Sequence, residues 1–116
     1  MRSIAWARGA ARAFGTLPST VQDAMIDALA LAQRGGMSDT ARPMHGNLRE
    51  VVEIRIGHTS GTYRSMYTAR FEEYVYVLHV FQKKAKTGTE TPKRELDLIR
   101  QRLKAVKADA ATRAKR

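Results

Sequence analysis

Val52, Ile54 and Ile56 alternate with Glu53 and Arg55, the two-residue period of a strand with one buried face. The strand opens at Val51, and a hairpin turn at His58-Thr59-Ser60-Gly61 leads into a second strand over 62–71. Glu72-Glu73 makes the next turn. Tyr74 to Phe81 is then apolar at odd and even positions alike, as expected of a central strand covered on both faces. This run ends in Lys83-Lys84, so a strand that begins in the core delivers cations to a surface.

A different period governs the segments on either side. Val21, Met25, Ala28, Leu29 and Ala32 recur at helical spacing and predict a helix ending near Gln33, stopped by Gly35-Gly36. Leu17-Pro18 precedes it, and Ser19-Thr20-Val21-Gln22 has the composition of a capping box. Leu96, Ile99, Leu103 and Val106 predict a second amphipathic helix with Pro92 in its first turn. Its outer face carries Lys93, Arg94, Arg100, Arg102, Lys104 and Lys107. Ile4 to Trp6 reads as a short first strand, Ala7 to Phe14 as a brief helix, residues 37–50 as a loop and 85–91 as a polar linker.

The predicted order is β-α-α-β-β-β-α, an α+β domain in which helices cover one face of a twisted antiparallel sheet. The other face is left to carry Arg55 and its neighbours. The domain is expected to span 1–108, with 109–116 a frayed basic tail.

Composition narrows the chemistry. The 116 residues suit one domain with its own core. With no cysteine, a disulfide scaffold, a thiolate zinc site and a thiol nucleophile are excluded. His45, His58 and His79 lack metal-ligand spacing, so no metal or other cofactor is expected. No apolar run approaches the ~20 residues that cross a bilayer, so no membrane partner is expected. The N-terminus lacks a secretory apolar centre, which leaves a bacterial cytoplasmic protein as the default expectation. The net charge is +10, and residues 83–116 hold twelve Lys and Arg against four acids, a net of +8. Such a field favours nucleic acid or an acidic protein, or serves only solubility.

Taken in order, Leu17-Pro18 before an amphipathic helix, Glu53-Ile54-Arg55, Tyr63-Arg64, Leu78-His79-Val80-Phe81-Gln82-Lys83-Lys84 and Pro92 before a helix resemble the HigB-type toxins. These belong to the RelE/ParE superfamily, in its phage-derived host-killing branch, and the resemblance spans about residues 2–106. It implies a RelE-like fold and the toxin of a type II toxin-antitoxin system. The activity implied is that of a metal-independent, ribosome-dependent mRNA endonuclease that blocks translation. The implied partners are the ribosome, mRNA and a HigA-like helix-turn-helix antitoxin. Two alternatives stand beside this: a ParE-like inhibitor of DNA gyrase that cuts nothing, and a basic nucleic-acid-binding module without catalysis.

RNA cleavage requires removal of the 2′-hydroxyl proton, stabilisation of the phosphorane charge, and a proton for the leaving 5′-oxygen. Arginine suits the second task because its planar fork holds two phosphate oxygens and stays charged. The resemblance and strand phase together make Arg64 and Arg55 catalytic candidates; either could instead pair with Glu53 or Glu50 as an ordinary ion pair. Lys83 and Lys84 are candidates too, with Lys83 favoured because it shares a face with His79 and Phe81. His79 lies inside an apolar run and reads as a hydrogen-bonded core histidine, whereas His45, in the loop, can approach a substrate. Tyr63 and Tyr67 share a face and are candidates to stack on RNA bases. Lys93, Arg94 and Arg100 suit phosphate contacts. Trp6, Tyr74 and Tyr76 read as packing. Superfamily members often use a tyrosine near the C-terminus, but this chain has none after Tyr76, so that role is vacant or moved.

Overall fold

The alternation in the strand after the loop sets the architecture, because it gives the sheet two chemically distinct faces. In a computed structural model that describes residues 1–83 and 91–114, the elements run β1 (Ser3–Trp6), α1 (Ala10–Gly15), α2 (Ser19–Gln33), β2 (Ala41–Pro43), β3 (Val52–His58), β4 (Gly61–Thr68), β5 (Tyr74–Lys83) and α3 (Lys93–Ala114). A single 3-10 turn, Gly46–Leu48, lies between β2 and β3. The five strands form one sheet in the order β1-β5-β4-β3-β2. The sheet is mixed, not wholly antiparallel as expected, because β1 runs parallel to β5 from Ser3 opposite Tyr74 to Trp6 opposite Val77. Nothing in a local pattern specifies the direction in which two strands so far apart in sequence will pair. The α+β class holds.

Val52, Ile54, Ile56, Tyr63, Tyr67, Val75 and Val77 point to one side, where Val21, Met25, Ala28, Leu29 and Ala32 of α2 close the larger core. Met66, Tyr76 and Leu78 point the other way and meet Ile99, Leu103 and Val106 of α3. Helices therefore cover both faces, which corrects the expectation of one free face. Burying each such aliphatic side chain stabilises the fold by about 1.5–3 kcal/mol. Coverage of the second face is incomplete, since α3 packs chiefly on β5.

One irregularity decides which side chains reach that second face. Met66 pairs with His79 but Tyr67 pairs with Val77, so Leu78 is an extra residue in β5. Val75 and Val77 belong to the α2 side, and strict alternation would send His79, Phe81 and Lys83 there too. The bulge reverses the phase, as bulges do. His79 and Phe81 consequently lie on the α3 side, stacked with ring centroids 5.1 Å apart, and Lys83 shares their face opposite Thr62.

Several local expectations need correction. No side-chain cap holds the start of α2; Gln22 Nε2 instead donates backward to the carbonyls of Leu17 (2.9 Å) and Gly15 (3.3 Å). The end of α2 follows the glycine argument: Gly35 takes φ +87° and the Gly36 amide donates to Leu31 O at 2.8 Å. β4 stops at Thr68, short of residue 71. Arg102 turns inward from the expected basic face. The helix α3 continues through Ala114, so residues 109–114 are not frayed; Arg113 bonds to the Tyr76 hydroxyl and lies 4.8 Å from the Tyr74 ring centroid, a cation–π contact. The linker expected over 85–91 falls, apart from Thr91, outside the described residues. Among the described residues, no helix is long and apolar enough to cross a membrane.

Candidate functional site

Where α3 leaves the second face uncovered, beside β3 and the edge strand β2, a cleft of about 980 Å³ opens. Arg42, Glu53 and Arg55 line it from the strands, Asp39, Thr40, Met44 and His45 from the segments flanking β2, and Thr91 and Leu96 from the start of α3. Cross-strand register explains the grouping. Arg42 is opposite Glu53, Glu53 is opposite Met66, and Arg55 is opposite Arg64, so all these residues share the α3 side.

At the base of the cleft a single carboxylate holds two guanidiniums. Arg55 Nη2 donates to Glu53 Oε1 at 3.0 Å, and Arg64 Nη1 donates to Glu53 Oε2 at 3.1 Å. Both arginines thus make the ion pair raised as the alternative to a functional role, but they differ in setting. The Arg55 side chain is 40% exposed, whereas Arg64 is 2% exposed and also donates to Thr91 Oγ1 at 3.2 Å. A buried charge costs several kcal/mol unless it is paired and hydrogen-bonded, so Arg64 is not an ordinary surface pair. Burial lowers its pKa below the usual arginine value, the Arg55 charge adds to the shift, and Glu53 opposes it. Glu53 thus bridges an accessible guanidinium in the cleft and a buried one beneath it.

The remaining predicted residues divide between this face and others. Lys83 is 9% exposed and lies on the same face as Arg64. Lys84 lies outside the described residues. His45 is exposed and lines the cleft. Tyr63 and Tyr67 do not: both are buried in the α2-side core, because β4 residues of odd number point away from Arg64. The Tyr63 hydroxyl bonds to Ser60 Oγ at 2.7 Å, and burial raises the Tyr67 pKa. The base-stacking expectation for these two tyrosines is therefore corrected. Lys93, Arg94 and Arg100 are exposed on α3 outside the cleft, with Arg100 bonded to Asp97 at 3.2 Å.

His79 is a satisfied core histidine, as expected. It is 8% exposed, with Nε2 2.7 Å from Glu95 Oε2 and Nδ1 3.0 Å from Arg102 Nη1. Burial lowers the Arg102 pKa, opposed by the charge of Glu95. Among the described residues no group of three acidic or imidazole side chains is placed to hold a metal ion.

The sequence reading missed Asp39, Thr40, Arg42, Met44, Thr91 and Leu96 as cleft residues. It treated Glu53 only as a possible ion-pair partner. The phase of β3 already put Glu53 beside Arg55, and that signal was available. Arg42 carried none, since a three-residue edge strand ending in Pro43 shows no period.

A mixed sheet between helices, with a cleft lined by Arg42, Glu53 and Arg55, defines a small α+β domain. The family is then shown by direct comparison: residues 12–104 match the model of the phage derived protein Gp49-like (DUF891) family, and the chain belongs to it. This is a toxin-type family of the RelE/HigB kind. No curated protein matches the chain.

Proposed function

We propose that this protein is the toxin of a type II toxin-antitoxin pair and cleaves mRNA on the ribosome. The observation that carries this reading is the pairing of Arg55 with Glu53 in an open cleft, with the buried Arg64 holding Glu53 from beneath. Arg55 remains accessible as a donor to a phosphate, and the buried Arg64 fixes Glu53 beside it. Donors already aimed at the position where charge develops need no reorganisation during reaction.

Three cleft side chains can carry a proton: Asp39, His45 and Glu53. Glu53 lies between the two guanidiniums, beside the accessible Arg55, and is assigned as acceptor of the 2′-hydroxyl proton. The 2′-oxygen attacks phosphorus, the bond to the 5′-oxygen breaks, and His45 supplies the proton to that leaving oxygen. The products are a 2′,3′-cyclic phosphate and a 5′-hydroxyl. Lys83, on the same face, adds positive potential, and the exposed Lys93, Arg94 and Arg100 extend it toward ribosomal RNA. A helix-turn-helix antitoxin holds the protein inactive until it is removed.

The test is cleavage of a defined mRNA, with and without programmed ribosomes, by wild type and Arg55→Ala. Arg55 is the cleaner target because its exposed pairing contributes only about 0–1 kcal/mol to stability. The expected result is ribosome-dependent cutting, slowed at least tenfold in the variant at unchanged Tm. A toxic, folded wild type that cuts nothing would sink the nuclease reading and direct attention to gyrase.

A further inference from the structure

The bulge in β5 delivers His79 to a place where two α3 residues hold it, and the nuclease reading gives that buried imidazole no part in the chemistry. Arg102 Nη1 donates both to Leu78 O (2.8 Å) and to His79 Nδ1 (3.0 Å). A guanidinium has no acceptor, so Nδ1 must accept. The ring proton is then on Nε2, which donates to Glu95 Oε2 at 2.7 Å. Glu95 and Arg102 are seven residues apart, two helical turns, and so lie on one face of α3. His79 is gripped at both ring nitrogens by the same helix, and Phe81 stacks on its ring.

The consequence reaches the cleft through the start of α3. The Glu95 and Leu96 amides donate to Pro92 O at 3.0 and 3.1 Å, closing the first turn. Leu96 lines the cleft, as does Thr91, whose hydroxyl accepts from Arg64. One bond from Glu95 to β5 therefore sets the turn that forms the far wall and supplies an acceptor to the buried guanidinium.

We propose that His79, held between Glu95 and Arg102, is a positioning residue that fixes the first turn of α3 and thereby keeps Thr91 against the buried Arg64, which holds Glu53 in the cleft. Its effect on cleavage rests on the nuclease reading; its effect on the cleft wall does not. The imidazole touches no substrate. It converts the bulge in β5 into a fixed distance between the sheet and the Thr91–Leu96 wall.

The experiment compares wild type, Glu95→Ala and Glu95→Gln in the full chain. Glutamine keeps an oxygen acceptor for Nε2–H while losing the charge, so it separates positioning from helix-terminus electrostatics. Amide exchange at Glu95 and Leu96, the Kd for a 2′-O-methyl RNA hexamer and the single-turnover cleavage rate are measured on each. Glu95→Ala is expected to expose those amides, weaken binding several-fold and slow cleavage about a hundredfold, the scale of a displacement near 1 Å at a reacting centre. Glu95→Gln should remain within a few-fold of wild type in all three. Equal impairment of both variants, or unchanged exchange in Glu95→Ala, would overturn the proposal. If wild type cleaves nothing, the nuclease reading fails by itself, and amide exchange alone still decides whether His79 positions the wall.

Discussion

The two faces of the sheet are built from the same strands and lead opposite lives. The α2 side is mainly aliphatic and aromatic; the Tyr63 hydroxyl is bonded to Ser60 Oγ, and the buried Ser65 hydroxyl opposite Ile54 is its one polar interruption among the described β4 residues. The α3 side begins as a core of Met66, Tyr76 and Leu78 and passes within the same strands into Arg64, Glu53, His79 and Lys83. Alternation therefore does more than separate inside from outside. It separates a face that only stabilises from one that holds charge in fixed positions at the expense of stability, and the bulge in β5 adds three side chains to the second face.

Substitutions that affect one face and spare the other sharpen this contrast. The largest combined effect is expected for Arg64→Ala. Removing one partner of a buried pair costs about 3–5 kcal/mol, and releasing Glu53 from its fixed position slows cleavage about a hundredfold. Denaturant melts and single-turnover rates on the same preparations check both; full activity in a destabilised variant would make Arg64 purely structural. Leu29→Ala on the α2 side should cost a comparable 2–5 kcal/mol yet leave the cleavage rate of the folded fraction unchanged. A rate that falls with stability in this variant would abolish the distinction between the faces.

The smallest effect concerns pH. Burial raises the folded-state pKa of Tyr67, so the neutral phenol is favoured in the fold. As pH rises past the ordinary tyrosine value of about 10, the unfolded chain loses its proton first. The contribution of Tyr67 is thus complete below that pH and declines as pH climbs toward the folded value. Tyr67→Phe should flatten this alkaline limb of stability without changing cleavage at neutral pH. An identical limb in the variant would place the titrating group elsewhere.

The elements with long, regular periods were legible from sequence, and those whose placement depends on partners were not. The apolar stripes of α2 and α3, the alternation in β3 and the glycine stop at Gly35 follow from local geometry. The direction of β1, the edge strand Ala41–Pro43 and the bulge at Leu78 are tertiary outcomes that no window of sequence contains. The same division runs through the site. Arg55 and Arg64 were singled out because strand phase and family resemblance agreed, and Lys83 was placed with His79 and Phe81 by simple parity. Tyr63 and Tyr67 were correctly placed on a common face, but composition could not tell that α2 covers it. Arg102 looked like one more surface cation until Leu78 O and His79 gave it two acceptors. Residues 39–45 reach the cleft only because β2 joins the sheet.

The central claim is that RNA meets the α3 side, at the cleft lined by Arg42, Glu53 and Arg55. Backbone amide shifts in 15N-labelled protein, titrated with the 2′-O-methyl RNA hexamer at two salt concentrations, test it most directly. The account predicts shifts at the amides of residues 39–42, 44, 45, 53–55, 91 and 93–96 that weaken as salt rises, with α2 silent. Shifts centred on α2, or none near Arg55 at a concentration where binding is saturated, would contradict it.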